Sequence, residues 1–229
     1  MLAENFKHVT EQLKIACEKV GRDADSVNLL PVSKTFPSEV IAEAATLGYR
    51  RFGENKAQEL KQKAIELEAL NLSWVIIGHL QTNKAKEVAK YADEIQSLDR
   101  LDLAVALDKR LQKEGRAIDA LIQVKSSTEE TKTGMLIEEV PAFLDVLKSF
   151  DTLRIKGFMT IAENTPAQDI VRACFRNVRQ LAEKMREQTG LPLPVLSMGM
   201  SGDFELAIAE GATEVRIGSA IFGKRHYDI

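Results

Sequence analysis

The sequence predicts an α/β chain folded as one (β/α)8 barrel of the TIM type, with an extra helix in front. Three observations predict it. Eight short apolar runs alternate strictly with amphipathic stretches, which implies crossover connections and a parallel sheet. The first run, Leu29-Leu30-Pro31-Val32-Ser33-Lys34, is apolar almost throughout, as a strand buried on both faces requires. Eight such units fill 229 residues without a linker rich in Pro, Gly or Ser, so a single domain over 1–229 is expected. A doubly wound open sheet is the rival that periodicity leaves open.

The elements follow in order. Phe6, Val9, Leu13, Ala16 and Val20 recur at helical steps over the first twenty residues, and Gly21 stops them. Val27 to Ser33 is the first strand. Pro37 suits a first helical turn, and Val40, Ile41, Ala44, Ala45 and Leu47 form its apolar face. Tyr49 to Asn55 is the second strand, followed by a helix striped by Ala57, Leu60, Ala64 and Leu67. Ser73 to Ile77 is the third strand, and Val88 and Tyr91 belong to the next helix. Glu94 to Leu98 is a weak fourth strand. Asp99 is the expected cap of a helix carrying Leu103, Leu107 and Leu111, closed by Gly115. Ala117 to Val124 is the fifth strand, with a polar loop through Ser126, Ser127, Thr128 and Gly134. The next helix shows Ile137, Val140, Phe143, Leu144 and Leu147. Leu153 to Thr160 is the sixth strand. A long helix with Val171, Cys174, Phe175, Val178, Leu181 and Met185 ends at Gly190. Pro194 to Ser197 and Thr213 to Ile217 are strands seven and eight, flanking a short helix with Phe204, Leu206, Ala207 and Ile208. The chain leaves strand eight through a loop, Gly218 to Gly223.

Composition narrows the class. Net charge is -3 with acidic and basic residues interspersed, which predicts no nucleic-acid-binding face. Cys17 and Cys174, the only cysteines, fall in helical stretches and read as small core residues or free thiols, which fits a reducing compartment. His8, His79 and His226 lack ligand spacing with them, so no metal site is expected. The amino terminus has no apolar core of a signal peptide, and no apolar run approaches the ~18 residues of a membrane span. A soluble cytoplasmic protein is expected.

Barrel ligands bind where strands end, and phosphate is often held after strands seven and eight. Those two exits here are Gly199-Met200-Ser201-Gly202 and Gly218-Ser219. Glycine lets backbone N–H groups approach an anion, and Ser201 and Ser219 add hydroxyl donors. Ordinary strand-to-helix turns are the alternative, since they favour the same residues. Lys34 closes the first strand at the same mouth. It is either a surface cap or an amine nucleophile, and the latter needs a pKa below its ordinary ~10.4. A lysine with a phosphate seat points to a Schiff base with a phosphorylated aldehyde, either pyridoxal 5'-phosphate (PLP) or a sugar phosphate.

Arg216 lies within strand eight. It is either a structural ion-pair partner of an interior carboxylate such as Glu54, or a donor facing a pyridine nitrogen. In the second role it would leave that nitrogen unprotonated, because a guanidinium is a donor only and cannot accept a proton from it. Such a ring is a weak electron sink, suited to limited chemistry or storage. Asn55 and His79 end strands two and three and are candidates for lining the ring, with ordinary structural roles as the alternative. Lys125, Ser126, Ser127 and Lys132 read as a solvated rim.

Pro31-Val32-Ser33-Lys34-Thr35, Phe52-Gly53-Glu54-Asn55, Gly78-His79-Leu80-Gln81-Thr82-Asn83-Lys84, Gly157-Phe158-Met159-Thr160, Leu196-Ser197-Met198-Gly199-Met200-Ser201 and Val215-Arg216-Ile217-Gly218-Ser219-Ala220-Ile221-Phe222-Gly223 resemble the YggS/PROSC family of pyridoxal phosphate homeostasis proteins. The resemblance runs in order from about Val27 to Gly223. It implies a fold-type III PLP-binding barrel, like the amino-terminal barrel of alanine racemase. It implies PLP on Lys34 as a Schiff base, phosphate held by Ser201, Gly218 and Ser219, Arg216 at the ring nitrogen, and Asn55 and His79 along the ring. One departure is Lys125, where many members have asparagine. Racemases of this type draw a second acid/base from a carboxyl-terminal domain, and the chain stops at Tyr227-Asp228-Ile229. A missing acid–base partner removes a typical ~100- to 10,000-fold of rate. The expectation is therefore a monomeric, non-enzymatic PLP carrier that buffers or delivers the cofactor to apo-enzymes, rather than a racemase or an aldolase.

Overall fold

The computed structural model describes residues 1–127 and 133–223, so Thr128, Lys132, His226 and the final Tyr227-Asp228-Ile229 lie outside the described residues. Helix α1 (Leu2–Lys19) precedes eight strands: β1 (Asn28–Pro31), β2 (Arg51–Glu54), β3 (Ser73–Ile76), β4 (Glu94–Leu98), β5 (Ile118–Gln123), β6 (Leu153–Met159), β7 (Val195–Ser197) and β8 (Glu214–Ile217). The connecting helices are α2 (Ser38–Thr46), α3 (Ala57–Glu66), α4 (Ala85–Tyr91), α5 (Leu101–Glu114), α6 (Val140–Leu147), α7 (Gln168–Thr189) and α8 (Phe204–Ala209), and α9 (Ser219–Phe222) follows β8.

The strands form one parallel sheet in the order β1-β8-β7-β6-β5-β4-β3-β2. A bridge between Val32 and Gly53 joins its two edges, so the sheet is a nearly closed barrel and the open-sheet rival is excluded. Side-chain bonds confirm the closure. Gln96 of β4 donates to Glu214 of β8 at 2.5 Å, and Ser197 of β7 donates to Gln96 at 2.6 Å. These strands are not neighbours in the sheet, so the side chains meet across the barrel interior. Arg51 of β2 reaches Glu94 and Glu214 in the same way at the floor of the barrel.

The larger apolar core lies between barrel and helices. It includes Phe52, Ile76, Ile95, Leu107, Phe158 and Phe175, all fully buried. Strand alternation explains the split: one set of side chains faces the helices and the other the barrel axis. Helix α1 covers the β8–β1 side. Its Phe6 stacks on Tyr49 with ring centroids 3.9 Å apart and meets Phe222 of α9 edge-on at 6.0 Å.

Three local expectations are corrected. Asp99 does not cap α5. Its carboxylate, drawn to Arg100 at 2.8 Å, is turned away, Arg100 holds the cap position, and Asp102 accepts the Leu103 N–H. Pro37 is the residue before α2 rather than in its first turn. The exit from β8 is a helical turn, α9, because Ile221 and Phe222 both donate back to the Gly218 carbonyl. Among the described residues no helix is long and apolar enough to cross a membrane.

Candidate functional site at the barrel mouth

The carboxyl ends of β1, β7 and β8 converge. Gly218 lies against Val32, and a Cβ on Gly218 would come within 3.1 Å of the Val32 carbonyl oxygen. That approach brings the α9 turn next to the turn that holds Lys34. Val32 contacts the inward side of Gly53, while Ser33 turns outward and donates to Glu54 Oε1 at 2.6 Å. Lys34 follows in the turn that leaves the strand. Lys34 is half-buried.

Ser201 and Ser219 meet across the β7 and β8 exits, their hydroxyls 3.3 Å apart. Among the described residues the backbone N–H groups of Ser201, Gly202, Ser219 and Ala220 donate to no protein acceptor. The seat therefore presents four unused N–H donors and two hydroxyls, a donor set that fits a phosphate monoester. It borders a cleft of about 480 Å³ between Glu163–Gln168 and Met200–Leu206.

Arg216 is buried below this rim. Its Nη1 donates to the Ser197 carbonyl at 2.7 Å and to Ser197 Oγ at 2.9 Å, and its Nη2 donates to the Thr160 carbonyl at 2.9 Å. The ion pair with Glu54 is not made, since Glu54 faces α3 and bonds Lys63 at 2.7 Å. No carboxylate of the described residues pairs with Arg216. Burial lowers its pKa to about 10, so it remains a cation at neutral pH. The arginine sits atop a polar column, Ser197–Gln96–Glu214–Arg51, running to the barrel floor.

Asn55 and His79 stand at adjacent strand ends. Asn55 is exposed and its backbone presses on Gly78, where a Cβ would fall 2.1 Å from the Asn55 carbonyl oxygen. The His79 side chain is half exposed, with Nδ1 3.8 Å from Asp99. Ser126 shares a 2.7 Å hydrogen bond with Thr160, which ties the β5 exit to the residue under Arg216. Lys125 is half-buried beside it. The sequence reading missed Thr160, Gln96 and Ser197 as supports of Arg216, and Glu54, Glu59 and Lys63 as neighbours of Lys34.

Glu54 carries a pH signature. Burial pushes its carboxyl up to about 7, against the pull of Lys63, and Oε2 is buried without a hydrogen-bond partner. Between its unfolded value and about 7 the folded chain holds a proton that the unfolded chain has lost. This group's contribution is thus full below the unfolded value and is lost as pH rises through about 7. Urea unfolding of wild type against Glu54→Gln should show wild type losing on the order of 1–3 kcal/mol relative to the variant between about pH 4 and 8. A constant offset from weaker pairing with Lys63 leaves that slope intact, and parallel curves would refute the assignment.

The mouth of this parallel barrel brings together the turn that bears Lys34, a donor-lined seat and a buried arginine that no carboxylate of the described residues pairs with. The chain belongs to the family described as alanine racemase, N-terminal domain, which matches residues 5–226, and within it to the YggS/PROSC family of pyridoxal phosphate homeostasis proteins. It is 41% identical over 224 residues to the pyridoxal phosphate homeostasis protein of Aquifex aeolicus, covering 98% of each chain. The solved structure of PipY from Synechococcus elongatus, with PLP bound, is similar at TM-score 0.86 and 36% identity over 97% of this chain and 100% of that one. An alanine racemase of Clostridium difficile shares the fold alone, with TM-score 0.74 and 14% identity over 99% of this chain and 58% of the racemase.

Proposed function

We propose that the chain binds PLP and serves intracellular vitamin B6 homeostasis, holding the cofactor covalently and passing it to apo-enzymes. When bound, the cofactor supplies an aldehyde that condenses reversibly with a primary amine. The observation that carries the reading is the contact of Gly218 with Val32, which sets the anion seat beside the turn that bears Lys34. In this reading Lys34 supplies the amine. Ser201, Gly218 and Ser219 form the phosphate seat, with the free N–H groups of Gly202 and Ala220. Arg216 donates toward the ring nitrogen, and Asn55 and His79 line the ring edge.

Holding is preferred to turnover on the chemistry of Arg216. A donor-only cation leaves the ring nitrogen unprotonated and gives little stabilisation to a substrate carbanion. The relatives named as homeostasis proteins and the PLP-bound PipY structure support the same reading. The reading includes a monomer in the cytoplasm.

The test begins with PLP added to the purified chain, followed by borohydride reduction and peptide mass spectrometry. Label on Lys34 that Lys34→Ala abolishes is expected. A chain that takes up no PLP would refute the assignment. Transfer from the loaded protein to an apo-enzyme should differ in rate from uptake of free PLP. Fast Lys34-dependent deuterium exchange at the α-carbon of amino acids would replace holding with racemase-type catalysis.

A further inference from the structure

The peptide groups on both sides of Lys34 are tied down by side chains of α3. Lys63 Nζ donates to the Ser33 carbonyl at 2.9 Å and to Glu54 Oε1 and Glu59 Oε1 at 2.7 Å each. Its three donors meet three acceptors, and the side chain is only 5% exposed. Glu59 Oε1 also accepts the Thr35 N–H at 2.5 Å, and Ser33 Oγ donates to the same Glu54 oxygen as Lys63. The Ser33 carbonyl receives a second bond from the Phe36 N–H at 3.1 Å, which closes a tight turn around Lys34 and Thr35. Thr35 has φ +70°, the left-handed region that a β-branched residue avoids. Such strain persists only where the surroundings over-determine it, and it gathers at functional sites. A turn that merely joined strand to helix would require neither a strained threonine nor a buried lysine on its carbonyl.

We propose that Lys63, Glu54 and Glu59 are positioning residues for Lys34, a buried clamp that fixes both flanking peptides and so the direction in which its amine leaves the strand. The proposal rests on Lys34 being the covalent anchor. A lysine stem has much rotamer freedom, and fixing its backbone removes part of the entropy otherwise lost when the amine meets a seated aldehyde. The clamp thereby slows escape of the bound ligand.

Two variants and one control test it. Lys63→Met keeps the stem and removes the donors; Glu59→Ala, on the more exposed side, removes the acceptor of the Thr35 N–H and serves where the first fails to fold. Leu60→Val disturbs the core face of the same helix without touching the clamp. The first readout needs no cofactor: the pH midpoint for acylation of Lys34, followed by peptide mass spectrometry. The second is the rate at which PLP leaves the loaded protein into excess semicarbazide. The clamp variants should shift the midpoint and speed release about tenfold or more, with Leu60→Val matching wild type. Unchanged midpoint and release in the clamp variants would overturn the proposal, as would Leu60→Val moving both equally. A wild-type chain that takes up no PLP would instead overturn the anchor reading, and the clamp's function with it.

Discussion

Gly157→Ala should cost the fold about 3 kcal/mol or more, the largest stability loss expected from any single methyl in the barrel. Gly157 has φ +151°, and a Cβ there would fall 1.9 Å from the Val195 carbonyl oxygen, its neighbour in β7. The reason lies one residue earlier. Ala120 pairs with Ile155 but Leu121 pairs with Gly157, so Lys156 is an extra residue that bulges β6. The bulge turns the backbone toward β7, and only a glycine lets the two strands approach. Strand β7 has three residues, and Gly157–Val195 is one of the three register pairs that join β6 to it. Gly190→Ala is the control: φ is +70° and nothing lies within 4 Å of its Cβ, so only the left-handed penalty of roughly 1–2 kcal/mol applies. Urea unfolding of the two variants should rank them far apart. Equal losses would mean that β6 and β7 separate without penalty. The bulge matters beyond stability, because β6 ends at Met159 and leads directly into Thr160, whose carbonyl holds Arg216.

Much of this architecture was legible in the sequence, and the reason is period. Strands buried on both faces read as apolar runs, and even the weak fourth strand coincides with β4 at Glu94–Leu98. Lys34, Arg216 and the two small-residue loops were visible because barrel sites gather at strand ends. What stayed hidden depended on tertiary partners. Lys63 lies three residues beyond Leu60, on the edge of a stripe that otherwise reads Ala57, Leu60, Ala64 and Leu67. A lysine there looks solvated until Glu54 and the Ser33 carbonyl are brought to it. The bulge at Lys156 leaves no trace except the glycine after it. Asp99 has the chemistry of a cap, but a neighbouring arginine competes for its carboxylate. Helix α9 is too short for periodicity to show, and a four-residue turn built on glycine and serine reads as loop.

Arg216→Met should lower both stability and ligand retention, the latter even where the variant is fully folded. Burial holds the guanidinium at about 10, below its ordinary value, which corresponds to roughly 3 kcal/mol against the buried cation. Three hydrogen bonds to Ser197 and Thr160 offset that penalty, each charge-assisted bond contributing about 1.5–3 kcal/mol. Methionine removes penalty and bonds together, so the unfolding free energy should fall by the difference, about 1.5–6 kcal/mol. Retention, measured where the variant is still folded, should fall for a separate reason. Loss of one charge-assisted bond to the ring nitrogen corresponds to about 10- to 100-fold weaker PLP retention, measured by equilibrium dialysis. Nitrogen NMR of labelled PLP in the wild-type protein should show an unprotonated ring nitrogen at pH 7. A protonated nitrogen, or retention unchanged in Arg216→Met, would make the arginine a strut of the barrel and remove the chemical argument for holding over turnover. Retention lost in a variant that is still folded would assign the buried cation, braced on two strand-end carbonyls, a part in holding the ligand.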